Sequence, residues 1–346
     1  MLEINPVVSV CVITYNHSSY IEQCLNSILE QKVNFNFEIC IGEDFSSDGT
    51  REICQKYAEK YPDKIRLFLR DRKDVIHLNG EPTGTFNFFA TLIRCKGKYI
   101  AICEGDDFWT DPLKLQKQVN LLRKNPDCAI CHCNVTVTYE DGTPTHPAYA
   151  TPQQKRKMKK CGIGIIATPQ KKMDITDLAK RNCIHTPGVL FKNWLNDNPL
   201  PLYVWKAGLG DWALHMGSAR FGKLIFIDEK MATYRIHKHG FWSNAQNIKK
   251  LQIITGTTCA MILSHEFSAE TIRILEKKLF KLIYRTWKNS AKTNNPSAIS
   301  AVLCEMATVA PELVPESIQY IQNALPINLL RRISIKKRTP LSQKIS

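Results

Sequence analysis

Between Val7 and Trp109, short apolar runs alternate with helix-spaced segments, and this alternation restricts the fold more than any other feature of the chain. Val7–Thr14, Phe37–Gly42, Ile65–Leu69 and Tyr99–Cys103 read as buried strands bounded by turn residues. After the first run, Ile21, Leu25, Ile28 and Leu29 recur at helical spacing, with Ser18 or Ser19 as the expected N-cap. A second helix is expected to run to about Lys60, and a third over Phe86–Cys95. Strands that alternate with helices call for right-handed crossovers and a mostly parallel sheet flanked by helices. In such sheets ligands bind beyond the carboxyl ends of the strands.

Three of these strands end in polar motifs: Thr14-Tyr15-Asn16-His17, Glu43-Asp44 and Glu104-Gly105-Asp106-Asp107. The last puts three carboxylates into four positions. Like charges at close range raise each other's pKa and destabilise the site. A divalent cation or a sugar hydroxyl resolves that conflict, because hard cations prefer oxygen ligands and bind through one or two carboxylates plus substrate phosphates. Alone, the cluster also reads as an acidic turn before a helix, with Asp111 capping a segment that starts at Pro112. The convergence of Thr14–Asn16, Glu43–Asp44 and Glu104–Asp107 on one rim favours the ligand site.

Further along, Pro112–Lys124 reads as an amphipathic helix, Cys128–Tyr139 as a strand, and the basic stretch Ala148–Gly164 as a surface loop. Asp174–Arg181 is an expected helix, Ile184–Phe191 a strand, and a helix follows Gly210-Asp211-Trp212 before the strand Leu224–Ile227. From Asn247 the pattern is helical, with Ile272, Leu275, Leu279, Leu282, Ile283 and Trp287 on one face. The expected organisation is a domain over residues 1–245, a helical region over 246–330 and a basic flexible tail over 331–346.

At 346 residues the chain has room for a large domain with an appendage. The net charge of +15 is concentrated in Lys155–Lys160, around Lys277–Lys292 and in Arg331–Lys344, away from the acidic rim. That placement points to docking on an anionic surface rather than to substrate reading, and a solvated basic face explains each patch equally well. Thirteen scattered cysteines suit reduced, buried thiols. The N-terminus lacks the basic and apolar regions of a signal peptide, so a cytoplasmic location is expected. Cys128-Ala129-Ile130-Cys131-His132 has the spacing of haem attachment. In a strand, however, Cys131 and Cys133 share one face while Cys128 and His132 share the other, which argues against a metal or haem site.

The motifs Val10-Cys11-Val12-Ile13-Thr14-Tyr15-Asn16, Glu43-Asp44-Phe45-Ser46-Ser47-Asp48-Gly49-Thr50, Glu104-Gly105-Asp106-Asp107-Phe108-Trp109, Gly210-Asp211-Trp212 and Tyr234-Arg235-Ile236-His237 occur in an order that resembles inverting glycosyltransferases of family 2. The resemblance covers roughly residues 7–243. It implies the GT-A fold, here with a C-terminal helical extension. It also implies a nucleotide-sugar donor, first of all a UDP-sugar, a glycan or lipid-linked acceptor, and Mn²⁺ or Mg²⁺ as cofactor. Two departures stand out: the family has paired aspartates where this chain has Glu43-Asp44, and an aspartate in place of Glu104. Phe45 stands where a small residue is usual, which would narrow the base pocket.

On this resemblance Thr14, Tyr15 and Asn16 floor the nucleotide pocket. Asp44 or Glu43 accepts hydrogen bonds from base or ribose, and Glu104 from ribose hydroxyls. Asp48 reads as a turn-capping group. Asp106 is the first candidate metal ligand and Asp107 the second. For the closing segment two assignments stand side by side: His237 as a further ligand, and Arg235 as a phosphate partner whose fork suits that group. Asp211 is the expected general base, taking the acceptor hydroxyl's proton. Trp212 reads as core packing more readily than as a sugar platform, and Trp109 is equally ambiguous.

The implied setting is bacterial surface-glycan synthesis, such as lipopolysaccharide or capsule. The basic C-terminal region would be a peripheral contact with the inner face of a membrane. A nucleotidyltransferase of related fold is the alternative enzyme, but it needs a Gly-rich basic loop after the first strand, where this chain has Thr14-Tyr15-Asn16-His17. A basic RNA- or membrane-binding protein is the alternative outside enzymes. It leaves the acidic rim unexplained, so no nucleic-acid partner is expected.

Overall fold

Val8–Thr14 (β1) and Phe37–Glu43 (β2) are mostly apolar or small on both faces, apart from Glu38 and Glu43, and nearly every position in them is buried. Strands of that kind fit the interior of a sheet covered by helices on both sides. The computed structural model describes residues 6–78, 80–141, 143, 145–150, 166–167, 169–238, 240 and 247–323. The chain divides into two compact units, Met1–Ala245 and Gln246–Ser346.

In the first unit β1 pairs in parallel with β2 and with Tyr99–Ile102 (β4), and β2 with Ile65–Leu69 (β3). Helices Ile21–Leu29 (α1), Thr50–Lys60 (α2) and Thr85–Leu92 (α3) make the crossovers. Ile21, Cys24, Leu25 and Ile28 form the buried stripe of α1, packed into the core with Val10, Val12, Ile39 and Ile41. Ser18 and Ser19 do not cap this helix. It starts after Tyr20 with no side-chain cap, and the Ser18 N–H donates to Asp48 instead.

The sheet continues through Val189–Lys192 (β7), Cys128–Tyr139 (β6) and Lys223–Ile236 (β8) to an edge at Lys172–Met173, making ten strands among the described residues. Phe108–Trp109 (β5) pairs with β8. β7 runs antiparallel to both neighbours, β4 and β6, so the sheet is mixed at this point. The reason is topological: the chain leaves β6 at the strand-end rim and re-enters through β7 from the same side, so no crossover is needed. Lys114–Lys124 (α4) buries Leu115, Val119 and Leu122.

β8 departs most from expectation. A single strand of 14 residues replaces the short one expected at Leu224–Ile227, and it pairs in parallel with β6 through register shifts around Lys230. Asp228, Glu229 and Lys230 are exposed at this irregularity, where they resemble a turn in sequence. By extending to Ile236, β8 carries Arg235 and His237 to the rim. The remaining helices of this unit are Ile175–Lys180 (α5), Leu202–Lys206 (α6) and Gly210–Ser218 (α7).

The second unit contains Asn247–Ile262 (α8), Ala269–Thr293 (α9), Ser297–Val309 (α10) and Leu313–Asn323 (α11). α9 buries Thr271, Leu275, Leu279, Ile283, Thr286 and Ser290 against α8, α10 and α11, while Ile272, Leu282 and Trp287 are half-buried. Its apolar face is thus covered inside the helical unit, leaving Arg273, Lys277, Lys281, Arg285 and Lys288 exposed. The surface loop expected over Ala148–Gly164 does not begin as one: Ala148 and Tyr149 are buried, and Tyr149–Ala150 pairs in parallel with Ile166–Ala167. Residues 151–164 and the basic tail over 331–346 lie outside the described residues. No helix among the described residues is long and apolar enough to cross a membrane.

Candidate active site at the strand ends

The loops after β1 and β2 are zipped together by backbone groups. Asp44 N–H donates to Thr14 O at 3.1 Å, Asn16 N–H to Ser46 Oγ at 2.9 Å, Ser47 N–H to Asn16 Oδ1 at 3.0 Å, and His17 N–H to Thr50 Oγ1 at 2.8 Å. Asn16 and Phe45 hold φ of 53° and 64°, conformations that only surrounding bonds sustain at a non-glycine residue. Asp48 accepts from Thr50 and from the Ser18 N–H. Burial pushes its carboxyl up, yet these bonds outweigh that and hold it down at about 2. Asp48 is a structural residue.

The paired acids after β2 have separate roles. Glu43 is fully buried, with one oxygen on the Ser46 N–H at 2.6 Å and the other on the Arg51 guanidinium. It builds the loop, which leaves Asp44 as the acid at the rim. Arg72, from the turn after β3, pairs with Asp44 Oδ2 at 3.0 Å and lies 4.3 Å from the centre of the half-exposed Tyr15 ring. Burial pushes the Asp44 carboxyl up to about 6, against the pull of Arg72. Phe45 is 53% exposed with Arg51 over its ring, so it stands at the mouth and does not fill a pocket.

Gly105 allows the acidic turn to sit against β1. A Cβ there would lie 2.7 Å from Thr14 Oγ1, 2.8 Å from Thr14 Cβ and 3.0 Å from His17 Nδ1. β8 closes the turn from the other side. Arg235 N–H donates to Asp107 Oδ1 at 2.8 Å, and its guanidinium donates to the Asp106 carbonyl and to Gln23 Oε1, the latter at 2.7 Å. The same guanidinium packs over Tyr20 and Phe108. Its fork, a candidate for phosphate, is therefore engaged within the protein. His237 Nε2 lies 3.0 Å from Asp106 Oδ2, and His17 Nε2 lies 3.9 Å from the same oxygen.

Charge is unevenly distributed in the cluster. Burial would raise Asp106, but the hydrogen bond with His237 and the nearby His17 hold it below the usual range. Burial, aided by Asp106, pushes Asp107 well up and Glu104 to about 8. Thr14 Oγ1, His17 Nδ1 and Asp107 Oδ2 are buried without a hydrogen-bond partner among the described residues. A bound ion or water would satisfy these orphaned oxygens, and the donor set of the cluster fits a divalent cation. Two groups could hold it: His17, Asp106 and His237, or Glu104, Asp106 and Asp107, with ligand atoms in each within 4.8 Å of one another. Neither group includes the cysteines of β6.

Asp211 enters at the start of α7. Gly210 is packed so closely on Phe89 that a Cβ would lie 2.9 Å from its ring. Asn182 Nδ2 donates to Asp211 Oδ2 at 3.2 Å and orients the carboxylate. Burial raises the Asp211 pKa, and the charge of Asp211 in turn helps raise Glu104, which puts the two acids within electrostatic reach. Trp109 and Trp212 are buried and donate to the Pro187 and Leu178 carbonyls, so both are core residues.

Sequence reasoning missed Arg72 and His17. His17 directly follows the first motif, a signal that was present but carried no role. Arg72 stands among Asp71, Lys73 and Asp74, where nothing in sequence separates it from a charged turn.

Residues 9–175 match the model of glycosyl transferase family 2. An uncharacterised protein of Mycobacterium tuberculosis is 34% identical over 68% of this chain and 61% of its own length. The putative teichuronic acid biosynthesis glycosyltransferase TuaG of Bacillus subtilis is 33% identical over 40% of this chain and 50% of its own. The chain thus spans about half to six-tenths of the length of these relatives. The mannosyltransferase PcManGT of Pyrobaculum calidifontis, solved with GDP-Man and Mn²⁺, superposes with a TM-score of 0.54 over 93% of this chain and 80% of that one. At 17% identity this likeness shows the shared GT-A fold. Together with the motifs on the rim, the match shows that residues 9–175 carry a glycosyl transferase family 2 domain.

Proposed function

We propose that the protein is a glycosyltransferase that moves a sugar from a nucleoside-diphosphate sugar to a hydroxyl acceptor, with inversion and with a divalent cation. The observation that carries this reading is the meeting of Asp106, His237 and His17 from three chain segments, with Asp44 on the same rim and Asp211 in electrostatic reach.

Asp44, with Arg72 and Tyr15 beside it, is suited to bind the base or ribose, and Glu104 the ribose hydroxyls. Asp106 and His237, with His17 or Asp107, would hold Mn²⁺ or Mg²⁺. Without a cation, each carboxylate–phosphate pair would repel by roughly 4 kcal/mol near a protein surface. The ion supplies charge neutralisation of the leaving diphosphate. The Asp211 carboxylate takes the acceptor hydroxyl's proton as that oxygen bonds to the anomeric carbon. The bond from that carbon to the diphosphate oxygen breaks, and the nucleoside diphosphate leaves with the electron pair. Asn182 holds Asp211 in place for that transfer.

The name of the Bacillus relative supports a cell-surface polysaccharide as the product. The exposed basic stripe of α9 supports electrostatic contact of the helical unit with an anionic membrane surface. The test is a donor screen that follows nucleoside-diphosphate release with a panel of UDP- and GDP-sugars, with Mn²⁺ and with chelator. Release should depend on the cation, and Asp106→Ala should abolish cation-dependent donor binding. If no nucleotide sugar binds under either condition, the transferase reading fails.

A further inference from the structure

We propose that His17 is a direct metal ligand, and that His17, Asp106 and His237 form a two-imidazole, one-carboxylate site that selects a first-row transition ion over Mg²⁺. The proposal rests on the cation-dependent reading above and goes beyond it in naming the ligand set and its selectivity.

The three residues come from the loop after β1, the turn after β4 and the end of β8. Asp106 Oδ2 lies between the two rings, 3.0 Å from His237 Nε2 and 3.9 Å from His17 Nε2. The ring centres are 6.1 Å apart with planes at 80°, and the ligand atoms of the three residues lie within 4.8 Å of one another. His17 is held there by its own N–H on Thr50 Oγ1 and by the close approach of Gly105, and its ring makes no hydrogen bond among the described residues. Its Nε2 is too far from Asp106 for a hydrogen bond and well placed for both to reach a common ion. Its Nδ1 is buried without a partner among the described residues.

In the all-oxygen alternative Asp107 Oδ1 accepts from Arg235 N–H, and its Oδ2 is buried without a partner among the described residues. What separates the two sets is the chemistry of their donor atoms. Imidazole nitrogen favours later first-row ions, whereas Mg²⁺ keeps oxygen ligands and dehydrates reluctantly. A site with two imidazoles therefore discriminates between ions that an acidic turn alone would take equally.

Calorimetric titration of the full-length protein with Mn²⁺, Co²⁺ and Mg²⁺ tests this, beside the visible spectrum of the Co²⁺ form. The wild type should bind Co²⁺ at least about tenfold more tightly than Mg²⁺, with Mn²⁺ between the two. His17→Ala and His17→Gln should weaken Co²⁺ by about tenfold or more, leave Mg²⁺ within about twofold, and shift the Co²⁺ absorption, with unchanged circular dichroism. Equal losses for all ions, or an unaltered Co²⁺ spectrum in both variants, would overturn the assignment of His17 while leaving the cation-dependent reading intact. If the wild type binds none of the three ions, both fall.

Discussion

Arg235 N–H donates to Asp107 Oδ1 at 2.8 Å, which ties the end of the longest strand to the acidic turn. The side chain of the same residue reaches the Asp106 carbonyl and Gln23, between the rings of Tyr20 and Phe108. Arg235 therefore acts on the site by positioning it. Arg235→Ala should keep the backbone bond and lose the rest. A cost of about 1–3 kcal/mol in stability is expected, from charge-assisted bonds and the ring contacts. Denaturant unfolding measures that cost. Titration with Mn²⁺ should show weaker binding, because the turn is no longer held from above.

How far the sequence revealed this arrangement depends on the range of the interaction concerned. Ile65–Leu69 and Cys128–Tyr139 were legible to the residue, since each is an apolar run ended by polar turn chemistry. β8 was not, because Asp228-Glu229-Lys230 carries a turn's composition inside a strand that a neighbour's register shift accommodates. Ser18 looked like a cap for the helix beside it, but its N–H serves Asp48 on another loop. Likewise Glu43 and Asp44 are equivalent as letters and differ in surroundings, because Arg51 and Ser46 claim one while the other, also buried, pairs with Arg72 beside Tyr15. The carboxylates were visible locally, whereas His17 and Arg72 acquire meaning only from residues far away in the chain.

Gly105 has negative φ, so its requirement is space and not backbone conformation. Gly105→Ala would drive a methyl into Thr14 Cβ and Oγ1, at 2.8 and 2.7 Å, and toward His17 Nδ1. Thr14 is buried at the end of a fully paired strand and has little room to give. A loss of about 1–3 kcal/mol, typical of overpacking, is expected in denaturant unfolding. Cation affinity should fall with it, because the methyl displaces Asp106 and His17 together. Wild-type affinity in this variant would mean that the turn and β1 need not touch.

Asp211→Asn removes the proposed proton acceptor but keeps the shape of the side chain and its approach to Asn182. Donor binding should be unchanged in calorimetry. Sugar transfer should fall by about 10²–10⁴, the range for loss of a positioned general base. Asn182→Ala should give a smaller loss in the same direction, since it frees the carboxylate without removing it. Unaltered turnover in Asp211→Asn would move the base to another residue.

On the proposed function, Asp44 would set the pH dependence of donor recognition. Burial pushes its carboxyl from 3.8 up to about 6, with Arg72 opposing. The folded protein thus takes up a proton that the unfolded chain does not bind between about pH 6 and 4, and stability from this group rises as pH falls through that window. Above about pH 6 the buried anion is a net cost, one that recognition of a base or ribose donor group explains. The free nucleoside of the preferred donor, without its phosphates, is the clean probe, because nothing on it requires the cation. Its affinity should be level above about pH 7 and weaken below about pH 6, approaching tenfold per unit. Asp44→Asn should bind more weakly at neutral pH and show no such slope. If the wild-type profile is flat through this range, Asp44 is not the group that reads the nucleoside.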